Sequence, residues 1–359
     1  MFVALRDLRS ARGRFALMTV VVVLITTLVV LLSGLTAGLG RENTSAVDGL
    51  HADKLAFSAS AGVSFSSSTV KEDAWKGWAA QPGVRDASPL GIAMTRLGAG
   101  ERTAGGAAFG IDPAGPLAPG GARPTPGGVV LSQDLADELH VRAGDTVALG
   151  PAGNMRVDAV VPGASYSHAP VVWTTLDDWQ PLTPGPRASG AKQATVVALD
   201  LGKGADIGAG DAALHTETVS KADARKGIGS YTSENGSLQL MRGFLFVISA
   251  LVVGAFFTVW TVQRSGDIAV LKALGASTGY LLRDALGQAL VVLTAGTALG
   301  TAIAAAAGRV AEGTVPFVLD AGTTVLPAAV MVVLGLVGAA LAVRRVTAVD
   351  PLTALGSAR

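Results

Sequence analysis

The chain has no cysteine, which excludes disulfide staples, thiolate-held metal sites and c-type haem attachment. Charge is scarce as well. Only 15% of the 359 residues are Asp, Glu, Lys or Arg, against about 25% in an ordinary soluble domain. The net charge of +1 offers no polybasic surface, so nucleic acid is not an expected partner. Histidine occurs only as His51, His140, His168 and His215, too scattered to suggest a metal-ligand spacing. No Gly-Lys is followed by Ser or Thr, as a phosphate-binding loop requires, and no His-Glu pair opens a zinc-protease motif. No catalytic residue and no bound metal are expected; the chain does not read as an enzyme.

What the chain has in abundance is apolar sequence. Half of its residues are hydrophobic and its mean hydropathy is +0.47. A helix needs ~20 predominantly apolar residues to cross ~30 Å of hydrocarbon. Four uncharged stretches qualify: Phe15 to Gly40, Gly243 to Val262, Ala285 to Gly308 and Ala321 to Val343. The first has a basic leader and ends in small residues (Thr36, Ala37, Gly38), as a cleaved signal does. Its apolar run from Phe15 to Leu32 exceeds the ~7–15 residues of a signal core, so it is expected to stay as an anchor.

Basic residues set the orientation. Arg6, Arg9, Arg12 and Arg14 precede the first stretch, Arg264 and Lys272 separate the second from the third, and Arg344 and Arg345 follow the fourth. The positive-inside rule puts all three clusters in the cytoplasm. The expected fold is a membrane protein of four transmembrane α-helices, with an extracytoplasmic α/β domain inserted between helices 1 and 2. The expected segments are a cytoplasmic 1–14, spans at 15–40, 243–262, 284–308 and 321–343, an outside domain at 41–242, a cytoplasmic loop at 263–283, an outside loop at 309–320 and a cytoplasmic tail at 344–359. The expected location is a bacterial cell membrane, with both termini in the cytoplasm.

Within 41–242, Thr44 to Phe57 reads as a helical continuation of the first span, because Val47, Leu50 and Leu55 fall roughly on one face. Ser58 to Thr69 reads as a strand or loop, and Lys71 to Ala80 as a short helix carrying Trp75 and Trp78. Val129 to Leu131 reads as a strand, followed by Ser132 as an N-cap and a helix with Leu135 and Leu139 at i, i+4. Further strands are expected at Thr146 to Leu149, Met155 to Val161, Val171 to Thr174 and Ala194 to Leu199, and surface loops at 110–128 and 181–190.

The loop between the second and third spans contains Asp267-Ile268-Ala269-Val270-Leu271-Lys272-Ala273-Leu274-Gly275. Ile268, Leu271 and Leu274 share one face of a short helix, and Gly275 is a natural terminator. That apolar face either lies in the lipid interface or docks into a groove on a partner protein.

The chain resembles the MacB/FtsX-like permeases of ATP-binding cassette transporters. The resemblance runs through Ala4-Leu5-Arg6-Asp7-Leu8-Arg9, the stretch at 267–277, and the closing run Arg344-Arg345-Val346-Thr347-Ala348-Val349-Asp350-Pro351-Leu352. It implies a homodimer in membrane lipid, bound to two copies of a separate ATPase subunit that hydrolyses ATP. Asp267, Ile268, Leu271, Lys272, Leu274 and Gly275 would then form the coupling helix, and closure of the ATPases would be transmitted to the outside domains. Stretches at 1–6, 32–47, 166–174 and 233–249 are most similar to the DevC/HrtB branch, the haem-exporting permeases. That similarity implies haem as substrate, with no intrinsic cofactor. Another amphiphile (lipid, antibiotic or peptide) is the alternative cargo, and FtsX-like signalling to a cell-wall hydrolase is the alternative activity.

Haem needs an axial ligand and cations for its propionates. Around the outer ends of the first two spans lie Glu234, Met241, Tyr231, Arg41, Glu42, Arg242 and His51. Glu234 is the preferred ligand, because an ionisable group beside the bilayer is a functional candidate by default. Its competing role is to cap the helix entering the second span, beside Ser233. Tyr231 could equally be an interfacial anchor, and Arg41 and Arg242 could mark the membrane boundary. His168 either contacts cargo transiently or fixes a turn ahead of Pro170.

Overall fold

A computed structural model describes residues 12–183, 192–263, 266, 270, 275–311 and 315–347. The chain divides into two compact units, one of residues 1–38 with 236–359 and one of residues 39–235.

The first unit is helical. Four helices are long and apolar enough to cross a membrane: α1 (Arg12–Asp48), α7 (Gly229–Gln263), α8 (Thr278–Ala311) and α9 (Ala321–Thr347). Their common core is built from Met18, Val22, Val253, Phe257, Leu293 and Ala339. Without a hydrophobic drive in lipid, close backbone approach holds such helices together. Gly254 and Gly338 meet face to face, where a Cβ on Gly338 would stand 3.2 Å from the Ala250 carbonyl. Leu17, Leu24, Leu251 and Leu341 remain well exposed, as side chains facing hydrocarbon do.

The second unit is an α/β domain. Its strands are β1 (Lys54–Ser58), β2 (Val70–Lys71), β3 (Val84–Ala99), β4 (Arg102–Ile111), β5 (Gly128–Ser132), β6 (Thr146–Leu149), β7 (Asn154–Val161), β8 (Ser165–Tyr166), β9 (Ala169–Thr175), β10 (Gln193–Ala194), β11 (Val196–Leu201) and β12 (Thr216–Ser220). Nine of them run in the order β12-β1-β11-β3-β4-β9-β5-β7-β6, and β6 turns back to pair with β3. Six strands from β3 to β6 thus close on themselves, which leaves few free edges. The long β3 joins the two halves: its first residues pair with β11 and its last with β4. Short helices α2 (Glu72–Ala79), α3 (Gln133–Leu139) and α5 (Ile207–Leu214) cover the sheet, bringing in Trp75, Trp78, Leu135 and Leu139.

Two expectations need correcting. Residues 54–57 are not helical; α1 stops at Asp48, and Lys54–Ser58 is strand β1 between β11 and β12. The hairpin of β3 and β4, which spans 84–111, was not anticipated at all. Its Gly/Ala-rich strands have little local propensity, and cross-strand pairing over nine residue pairs makes them strands.

Candidate functional site

Both α1 and α7 extend into the domain unit, as residues 39–48 and 229–235. Between β8 and β9 the chain reverses through Ser167 and His168, both with positive φ (52° and 63°). A two-residue loop with both residues in that region matches the twist of its strands, but glycine or asparagine usually fills it. Here the conformation is held by α1. The Ser167 N–H donates to the Asn43 carbonyl (3.0 Å) and the His168 N–H to the Glu42 carbonyl (3.2 Å).

The turn delivers the His168 ring to two carboxylates. Nε2 lies 2.7 Å from Glu234 Oε2, and Nδ1 lies 3.4 Å from Glu42 Oε2. Asn43 Nδ2 sits 2.8 Å from the same Nε2 and 3.2 Å from Glu234 Oε2. One ring nitrogen cannot both donate to Glu234 and accept from Asn43. The carboxylate takes the Nε2 proton in the charge-assisted bond, and Asn43 then donates to Glu234. Ser230 Oγ donates to Asn43 Oδ1 (2.5 Å) and meets Ser167 Oγ at 2.8 Å. The His168, Glu42 and Glu234 side chains are 30%, 43% and 42% exposed, so the cluster is ordered yet reachable.

Among the described residues no three acidic or histidine side chains converge as a metal-chelating cage. What the cluster offers is one imidazole and two carboxylates with exposed edges, suited to a single axial bond or to exchanging a proton.

Of the residues named near the outer ends of the spans, Glu42 and Glu234 join this cluster. Glu234 is the sixth residue of α7, which begins at Gly229, so it does not cap that helix. Tyr231 is half-buried against the domain core. His51 is exposed, with Nδ1 3.3 Å from the Pro116 carbonyl, and Arg41 is exposed. Met241 and Arg242 belong to the helical unit, with Met241 half exposed. Glu42 was named near the outer end of the first span without a role, and Asn43 was not anticipated; no sequence pattern ties the end of a membrane helix to a turn over a hundred positions away.

Asp267, Ile268, Leu271, Lys272 and Leu274 lie outside the described residues. Gly275 has φ 92°, in keeping with a terminator, just ahead of α8. The run Gly275-Ala276-Ser277-Thr278-Gly279 has the spacing of a hydrolase nucleophile elbow, but Ser277 directly precedes α8 and its Oγ accepts from the Tyr280 N–H at 3.3 Å.

A family model described as the MacB-like periplasmic core domain matches residues 15–217, and one described as the FtsX-like permease C-terminal matches residues 240–351. The chain belongs to this family of multi-pass membrane permeases, with an extracytoplasmic α/β domain between the first and second membrane helices. More closely, it is a permease subunit of ABC-transporter type. It is 24% identical, over 99% of both chains, to the "Putative hemin transport system permease protein HrtB" of Staphylococcus haemolyticus. It is also 28% identical, over 99% of both chains, to an uncharacterised ABC transporter permease of Mycobacterium tuberculosis. The periplasmic region of MacB from Actinobacillus actinomycetemcomitans aligns with 51% of this chain and 95% of its own, at 12% identity and a TM-score of 0.38. Family membership implies an ATPase partner.

Proposed function

We propose that this permease subunit exports haem from the membrane, powered by ATP hydrolysis on two copies of a separate ATPase and transmitted mechanically through the helices of a homodimer. The supporting observation is the His168–Glu234 pair, 2.7 Å apart, in a chain similar from end to end to a protein named for hemin transport. Haem is a flat amphiphile that partitions into lipid, and histidine is a common axial ligand for its iron. In this reading His168 or Glu234 takes the iron and the exposed Arg41 meets a propionate. Met241 and Arg242, in the helical unit, are separate candidate cargo contacts. The segment at 267–275 docks on the ATPase.

Titrating the purified permease in lipid nanodiscs with haemin, followed by the Soret band, tests this reading. The expected outcome is a saturable shift weakened roughly tenfold or more, about 1.4 kcal/mol, by Glu234→Ala and by His168→Asn. Asparagine tolerates the left-handed backbone at 168, so the second variant removes the ligand and keeps the turn. A Soret band that does not move, or that moves equally in both variants, assigns the cluster to another amphiphile or to a purely structural role.

A further inference from the structure

The extracytoplasmic domain holds a cavity of about 330 Å³ that haem export does not use. It opens between the loop at 66–69, the middle of β3, Tyr166, and the segments flanking Trp179 and Gln193. Its volume is at the lower end of the range for ligand pockets, roughly 300–1,000 Å³.

The construction of its wall is specific. Gly91 and Gly110 are paired across β3 and β4, and a Cβ on either would collide with the indole of Trp179. Two bare positions side by side therefore make a flat seat for the ring. Trp179 is 2% exposed, yet its Nε1–H has no acceptor among the described residues. Such buried donors are rare, because leaving one unpaired forfeits its hydration. Tyr166 is 7% exposed and packs edge-on against Phe65 and Phe109, with no protein partner for its hydroxyl among the described residues. Burial pushes its phenol well above the ordinary value, so it stays protonated and able to donate. Gln193 and Thr69 also line the cavity, and neither has a side-chain hydrogen bond among the described residues.

Among the described residues, no Asp, Glu, Lys, Arg or His lines the cavity. A charged ligand would lose its hydration there with no described side chain of opposite charge to pair it. Ile92 and Met94 supply apolar wall beside the unpartnered donors, the combination by which pockets hold and orient neutral ligands.

We infer that this cavity binds a small uncharged ligand bearing hydroxyl and amide groups, of the size and chemistry of an N-acetylated sugar. The Trp179 ring forms apolar wall against which the ligand packs. Gln193, Thr69 and Tyr166 engage the ligand's polar edge, and its methyl or ring C–H groups rest on Ile92 and Met94.

Saturation-transfer NMR on the full-length permease in lipid nanodiscs, free of sugar-headed detergent, tests this with N-acetylglucosamine and its β-1,4 dimer. Glucosamine, a cation, and glucuronate, an anion, serve as charged controls. The expected result is saturable binding of at least one neutral probe, weakened about tenfold or more by combined Gln193→Ala and Thr69→Val. Both charged sugars should bind at least about tenfold more weakly. Absence of saturable binding by both neutral probes, equal binding of the charged ones, or binding unchanged in the double variant overturns the inference. The double variant should leave the haemin titration unaltered, which keeps failure here separate from failure of the haem reading.

Discussion

Ser132 illustrates how a residue can take the expected position without the expected role. It precedes α3 with the extended backbone of an N-cap (φ −66°, ψ 150°), but its hydroxyl accepts nothing from the helix. It is also the last residue of β5, paired with Val161, and is fully buried with no partner for its Oγ among the described residues. Thr175, by contrast, accepts from the Asp178 N–H at the head of the helix that follows it. Ser132→Ala is therefore expected to leave thermal stability unchanged or raise it by up to about 1 kcal/mol, since it removes a buried, unmade hydrogen bond. Thr175→Ala, which removes a working cap, is expected to cost about 1 kcal/mol. Equal losses in the two variants would show that Ser132 caps after all. The position was legible in the sequence because Ser before a helical run is a strong local pattern. The direction of its side chain was not, since membership of a buried strand decided it.

At the scale of elements, the end of α1 carries a similar lesson. Asp48 closes the helix, with its carboxylate 2.7 Å from Arg225 Nε and accepting from Thr44 Oγ1 at 2.8 Å. Lys221 Nζ donates to the Asp48 and Leu50 carbonyls at 3.2 and 2.8 Å, a cationic cap on a helix C-terminus. The bond to Asp48 raises the Arg225 pKa further, so its charge is permanent. These contacts tie the end of α1 to the segment directly ahead of α7. Asp48→Asn and Arg225→Ala are each expected to cost about 1 kcal/mol, a partly exposed pair giving no more. The double variant should cost clearly less than the sum. Faster hydrogen exchange at 44–50 in either single variant is the local readout, and additive losses would show the pair to be uncoupled. Helical periodicity through Val47, Leu50 and Leu55 hid this stop, because Leu50 is buried in the bend after the helix and Leu55 in strand β1, not on one helical face.

At the scale of the whole molecule, the absence of cysteine becomes a tool. Any single introduced cysteine is the only thiol in the chain. The basic residues flanking the spans predict that Ser60→Cys is labelled by a membrane-impermeant maleimide in intact cells, and that Ser10→Cys is labelled only after permeabilisation. The reverse pattern would invert the topology.

The sequence by itself determined the four membrane helices and the inserted domain, because lipid imposes its demand on each segment separately: every stretch that crosses must be apolar and must satisfy its own backbone. The family followed from motifs that are likewise local runs of residues. Only the tertiary structure decided which polar groups meet. His168 stands 126 positions from Glu42 and 66 from Glu234, and a turn held in the left-handed region by α1 brings them together. The cavity under Trp179 depends on Gly91 lying opposite Gly110, and that register belongs to the pairing of strands that show little propensity of their own.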